Sequence, residues 1–170
     1  MIQATKNSRE KAIICLLAYS GMRNREICNL RLVDVDLGSN RITVKAGKNN
    51  KDRIINISAE CTLELIEYLK KYPCNKEEYL FTTLVKNNQL SPGDLRKTLR
   101  TVAKRQLGKR RVYPHLVRHS LATNLLNRGA SLIMIRDQLG HAFIESTMVY
   151  VNSTAFRNRS EYEFFKPAYM

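Results

Sequence analysis

No stretch of this 170-residue chain approaches the roughly 20 consecutive apolar residues that a bilayer-spanning helix needs. The longest apolar run, Ala12 to Tyr19, is short and no cleavage-site pattern follows it, so neither a membrane span nor a secretory signal is expected. Acidic side chains are scarce: 15 Asp and Glu stand against 29 Lys and Arg, a formal net charge of +14. That shortage makes the surface a positive field and points to a nucleic acid as partner. No basic amphipathic segment of the kind that lies on anionic membranes dominates. Cysteines are few, and none of Cys15, Cys28, Cys61 and Cys74 has a second Cys or His at zinc-site spacing. No metal site is expected; the four read as buried thiols in a reducing, intracellular (cytoplasmic) compartment. Internal repeats, low-complexity tracts and linkers are missing as well, so the length suits one domain spanning 1–170, able to bury a core without disulfides or metal.

What is present is a succession of capped apolar segments. Ser8 is placed to cap a helix whose Ala12, Ile13, Leu16 and Leu17 share one side, with Gly21 as its left-handed stop. Asn24 is available to cap a second short helix from Arg25 to about Leu30. Two helices about a Gly turn also fit a helix-turn-helix, so this segment alone does not decide its role. Ile42 and Val44 alternate with polar residues, and a second strand, Arg53 to Ile57, follows the turn 47–52; together they predict a hairpin over about 41–58. Its tip carries Lys45, Lys48, Lys51 and Arg53, which either contact a polyanion or are simply solvated. Ser58 caps a helix to about Lys71 with Leu65, Ile66 and Leu69 inward, and Tyr79 to Phe81 reads as a third strand. Ser91, Pro92 and Asp94 open a helix whose buried stripe is Leu95, Leu99, Val102 and Leu107. Its other face bears Arg96, Lys97, Arg100, Lys104 and Arg105, followed by Lys109, Arg110 and Arg111, a candidate phosphate-backbone contact. Helices over His115–Arg128 and Ser131–Leu139, and a last one over Glu145–Val151, complete an α+β fold, mostly helical with a small antiparallel sheet.

All three histidines fall between 115 and 141. His115 and Arg118, three residues apart, share a helical face and can converge on one anion, whereas His119 points about a quarter-turn or more away. Gly21-Met22-Arg23-Asn24-Arg25-Glu26, the basic hairpin, Pro114-His115-Leu116-Val117-Arg118-His119, Leu139-Gly140-His141 and Tyr150 follow in this order. In that order and spacing the chain resembles, along nearly its whole length, the tyrosine recombinase family of phage integrases and Xer-type recombinases. Ser20-Gly21-Met22-Arg23 with Glu26 is similar to the family's first-arginine motif, with Ser20 where Thr is usual. The turn 47–53 is similar to its lysine-bearing hairpin turn, which maps the catalytic lysine to Lys48, with Lys51 the nearest competitor and Asn49 where Gly is common. The His-x-x-Arg box and the second-histidine motif match at Pro114–Arg118 and Leu139–His141. Among eight tyrosines, only Tyr150 fits the nucleophile's place, nine residues after His141.

The resemblance implies DNA cleavage and rejoining for site-specific recombination, through a 3′-phosphotyrosyl intermediate on Tyr150. Arg23 and Arg118 are the phosphate clamp, since a guanidinium stays charged and its planar fork holds phosphate bidentately. His141 is a further transition-state donor. A phenol of pKa near 10 is a weak nucleophile, so His115 is the candidate base and Lys48 the acid for the departing 5′ oxygen. Glu26 orients the site, with His119 in support. Neither metal nor ATP is required, and Asp34 and Asp36 read as turn residues. Double-stranded DNA is the implied partner, bound by a tetramer. Segment 151–170, with Phe156, Tyr162, Phe164 and Phe165, reads as an oligomerisation tail docking in cis or trans. Because 22 residues precede Arg23, the family's N-terminal DNA-clamping domain is expected to be absent. A noncatalytic DNA-binding regulator and a type IB topoisomerase-like enzyme remain as alternatives.

Overall fold

The computed structural model describes residues 1–45, 52–83, 88–108 and 112–140. Its first helix, α1 (Ser8–Ser20), begins one residue earlier than Ser8 would set it, because the Asn7 side chain accepts from the Glu10 N–H at 2.8 Å. It ends at Gly21 with φ +67. The expected one-sided stripe proves too narrow: Ile14 and Cys15 are buried along with Ala12, Ile13, Leu16 and Leu17. The reason is position, since α1 is wrapped by α3 (Ala59–Lys71), α4 (Pro92–Leu107) and α5 (Pro114–Asn127) and has almost no solvent face.

After the Gly21 turn comes α2 (Asn24–Asn29), whose N-cap is Arg23 and not Asn24. The Asn24 amide instead donates to the Pro92 carbonyl at 3.2 Å, tying α2 to the start of α4. A three-stranded antiparallel sheet follows in sequence order, β1 (Val35–Asp36), β2 (Arg41–Val44) and β3 (Arg53–Asn56). The hairpin pairs Ile42 with Ile55 and Val44 with Arg53, and the alternation buries Ile42, Val44 and Ile55 while Ile54 is exposed. The third strand is thus Val35–Asp36, not 79–81. Tyr79 makes one isolated bridge to Arg31 and Leu80 donates to the Leu30 carbonyl, because the 30–33 segment takes those backbone groups before a ladder can extend. The Asp36 carboxylate holds the β1–β2 turn, accepting from Gly38, Ser39 N–H and the Ser39 hydroxyl.

Ser58 caps α3 through the Cys61 N–H, and Ser91 caps α4 with Pro92 in its first turn, both as read from sequence. Leu107 departs from the expected stripe of α4, being 39% exposed at the frayed end before Gly108, while Ala103 is buried instead. Ile66 and Leu69 of α3 are half-buried around the fully buried Leu65. The last described helix, α6 (Leu132–Leu139), packs Ile135 and Leu139 onto Ala122 of α5. Cys15, Cys28 and Cys61 are buried free thiols, and burial pushes them up to about 11, 11 and 12, respectively. Cys74 is half-exposed. No described helix is long and apolar enough to cross a membrane.

Gly21 is the joint of this arrangement. A Cβ there would stand 2.7 Å from Leu139 Cδ2 and 3.1 Å from Leu121 Cδ2, on a backbone already in the left-handed region. Gly21→Ala is expected to cost about 2–4 kcal/mol from strain plus overpacking, read as a lower urea midpoint. A stability change within 0.5 kcal/mol or so would show that α5 and α6 do not close on this turn.

Candidate active site

The α1–α2 turn carries the site because its polar groups are used up in holding its shape. Buried Ser20 donates its hydroxyl to the Leu16 carbonyl at 2.6 Å and accepts from Met22 N–H at 3.1 Å, which closes α1 against the turn. The carbonyl of Gly21 is left pointing at α5, where Arg118 Nη1 donates to it at 2.7 Å. Arg118 is 7% exposed. Two residues further on, Arg23 leaves the same turn with 41% of its side chain exposed. The two arginines, 95 residues apart in sequence, thus meet at one turn.

Glu26 fixes how Arg23 leaves it. Its Oε2 accepts from the Arg23 backbone N–H at 2.7 Å and its Oε1 from Arg23 Nη1 at 2.9 Å. Each oxygen also accepts from Arg53, Oε1 from Nη1 at 2.9 Å and Oε2 from Nη2 at 2.8 Å. Burial pushes this carboxyl up, but the Arg53 fork, the Arg23 N–H and the two positive charges outweigh it and hold it at about 2. The other terminal nitrogen of Arg23, Nη2, donates to the Gly140 carbonyl at 2.9 Å. Gly140, with φ +67, ends α6, and a Cβ on it would lie 2.5 Å from Arg53 Nε. Gly140 is therefore a close-approach position where two guanidiniums abut the residue that precedes His141 in the chain.

Gln138 locks α6 into the same place. Its amide nitrogen donates to Ser20 O at 3.0 Å and to Asn56 O at 2.8 Å, while its oxygen accepts from Asn56 N at 3.2 Å. One side chain thereby joins α6, the edge of β3 and the end of α1, and every polar atom of the buried amide is satisfied.

The sequence-derived candidates do not all share one place. Arg23, Glu26 and Arg118 are brought together as expected. His115 and His119 lie exposed on the first turns of α5, Lys45 is exposed and paired with Asp52 at 3.1 Å, and Arg96, Lys97, Arg100 and Lys104 are exposed along α4. Arg105 leaves that basic face to bind Glu10 at 2.6 Å. Arg53 corrects the reading of a basic hairpin tip: its side chain is 13% exposed and turned inward to Glu26, because it shares the strand face of Ile55. Lys48, Lys51, Lys109, Arg110, Arg111, His141 and Tyr150, and the expected helix at 145–151, lie outside the described residues.

Residues 1–157 match the family model described as the phage integrase family. The chain belongs to the phage integrase family. Within it, the tyrosine recombinase XerA of Pyrococcus horikoshii is 36% identical over 168 residues, covering 96% of this chain and 57% of that protein. The crystal structure of XerA recombinase superposes with a TM-score of 0.84 at 33% identity, over 99% of this chain and 62% of that one. A XerH site-specific recombinase, solved in a post-cleavage complex with a palindromic difH substrate, gives 0.75 at 26% identity, over 96% and 48%. The chain spans little more than half the length of the relatives it matches. The turn with Arg23 and the α5 segment with Arg118, joined through the Gly21 carbonyl, both lie within the matched residues.

Gln138, the Gly140 carbonyl and the inward fork of Arg53 were missed from sequence. Two of them left a signal: Gln138 lies on the buried stripe of α6, three residues after Ile135 and next to Leu139, and Arg53 lies two residues before buried Ile55. The Gly140 carbonyl left none.

The depressed Glu26 pKa makes part of the stability pH-dependent. A folded value below the ordinary 4.5 contributes stability that is complete above 4.5 and is lost as pH falls toward 2. The loss amounts to at most about 3 kcal/mol for a shift of this size. Urea titrations at pH 7, 4 and 2.5 should show Glu26→Gln less stable than wild type at pH 7, with the gap narrowing at pH 4 and mostly lost at pH 2.5. A gap that does not change with pH would mean that Glu26 is not held ionised by the two arginines.

Proposed function

We propose that this chain is the catalytic domain, 1–170, of a site-specific DNA recombinase that cuts and rejoins strands through Tyr150. The observation that carries the reading is the meeting of Arg23 and Arg118 at one turn, in a phage integrase family chain whose formal charge is +14. In the cleavage step the Tyr150 phenol oxygen attacks the scissile phosphorus and gives its proton to His115. The bond to the 5′ oxygen breaks, and Lys48 protonates that oxygen as it leaves. Arg23 and Arg118, with His141, bear the charge that grows on the nonbridging oxygens, the task at which one preorganised donor contributes about 3 kcal/mol. Attack by a partner strand's 5′ hydroxyl reverses these transfers, and no external energy source is consumed.

Binding of the duplex is assigned to Arg96, Lys97, Arg100 and Lys104 on the exposed face of α4, with Lys45, Lys51, Lys109, Arg110 and Arg111. Synapsis of two duplexes calls for a tetramer, with 151–170 as the connecting tail, inside the cell where the DNA is. These residues position a phosphate by charge, and base readout is left to contacts in the grooves.

The test is incubation with a duplex carrying the attachment site, nicked beside the scissile phosphate so that cleavage is trapped. Wild type should give a denaturation-resistant protein–DNA adduct, and Tyr150→Phe should give none while binding the duplex equally. An adduct that persists in Tyr150→Phe contradicts the nucleophile. Tight binding with no adduct in wild type would favour a noncatalytic DNA-binding regulator, and relaxation of supercoils without strand exchange would favour topoisomerase-like chemistry.

A further inference from the structure

We infer that Arg53 is a positioning residue that keeps Arg23 a net cation, by taking up the charge of Glu26 through a bidentate ion pair behind it; this rests on the proposed role of Arg23 at a phosphate. Arg23 alone would be a poor anion donor here. Glu26 stands within 2.9 Å of its Nη1 and accepts its backbone N–H as well, so the pair by itself carries no net charge. Arg53 changes the sum: two guanidiniums against one carboxylate leave one positive charge. The geometry also decides which arginine keeps it. Both terminal nitrogens of Arg53 bind Glu26, at 2.9 and 2.8 Å, and its side chain is 13% exposed. Arg23 gives Glu26 only Nη1 from its side chain and is 41% exposed. The buried arginine is the counter-ion, and the exposed one is presented.

Three features place Arg53 for this and not for direct contact with a ligand. It lies on the core-facing side of β3, opposite Val44, whereas Lys45 one residue on from Val44 is exposed. Its Nε is buried with no hydrogen-bond partner among the described residues and lies against Gly140, where a Cβ would fall 2.5 Å away. The Arg23 Nη2 donates to that same Gly140 carbonyl. Arg53 thus braces both supports of Arg23, the Glu26 carboxylate and the Gly140 segment, from the stem of the hairpin.

A double-variant comparison separates this from plain structural support. Binding of inorganic phosphate is followed by NMR through the Arg23 side-chain N–H, and adduct formation is followed in single turnover on the nicked duplex. In Arg53→Met, phosphate affinity should fall roughly tenfold and the cleavage rate by at least as much, with duplex affinity nearly unchanged, because one unit of charge is lost beside Arg23 and many other cations hold the duplex. In Arg53→Met/Glu26→Gln the carboxylate is gone too and the net charge returns to one, so both readouts should rise at least about threefold above those of Arg53→Met, though the loss of Glu26's hold on Arg23 keeps them below wild type. A purely structural strut predicts a double variant as impaired as Arg53→Met, or more so. That result, or phosphate binding by Arg53→Met equal to wild type, overturns the proposal. If wild type forms no adduct the recombinase reading fails, and the phosphate arm still decides the role of Arg53.

Discussion

Both oxygens of one half-buried carboxylate, Glu26, are filled twice over by donors from Arg23 and Arg53, and the rest of the site is arranged around that charge. A carboxylate at this depth is costly unless paired, and an Arg fork satisfies both oxygens at once. The pairing joins the first turn of α2 to the stem of the hairpin. It also sets the N-terminal turn of α2, since the carboxylate accepts the N–H of the capping residue. The direction in which Arg23 leaves the fold follows from these contacts.

The turn preceding Arg23 is held by a different kind of constraint. Gly21 has no side chain and a positive φ, so Leu121 and Leu139 close over it and its carbonyl reaches Arg118. Gln138 fastens α6 to β3 and to the end of α1, delivering Gly140 to Arg23. Residues from all four quarters of the chain converge, in part because backbone carbonyls at helix ends, otherwise unsatisfied, are taken by long cationic or amide side chains. Glycine at 21 and 140 makes the approach possible, and the ion pair gives it direction.

Much of this was legible in sequence where the signal was local. Caps at Ser58 and Ser91, the Gly stop at 21 and the period of two in the hairpin translated directly into structure. The misreadings came where a longer-range partner won. Asn7 displaced Ser8 as cap because the extended residue one place earlier reached Glu10; α1 was buried all round because three helices cover it. Residues 79–81 did not form a strand because the 30–33 segment claimed their backbone. Arg53 is the instructive case. Its charge suggested the solvated tip, but its parity with Ile55 and Ile57 placed it on the inner face, and parity prevailed because Glu26 was there to receive it.

The role proposed for Arg23 is to meet negative charge on a phosphate. The most direct measurement compares cleavage of an ordinary duplex with cleavage of one whose scissile phosphate is a methylphosphonate, which lacks that charge, by wild type and by Arg23→Ala. Arg23→Ala should be slower on the ordinary phosphate by a factor on the order of 10²–10³, the effect of removing one preorganised donor, and the deficit should largely vanish on the neutral methylphosphonate. An equal deficit on both substrates would mean that Arg23 holds the protein's shape and not the charge of the phosphate.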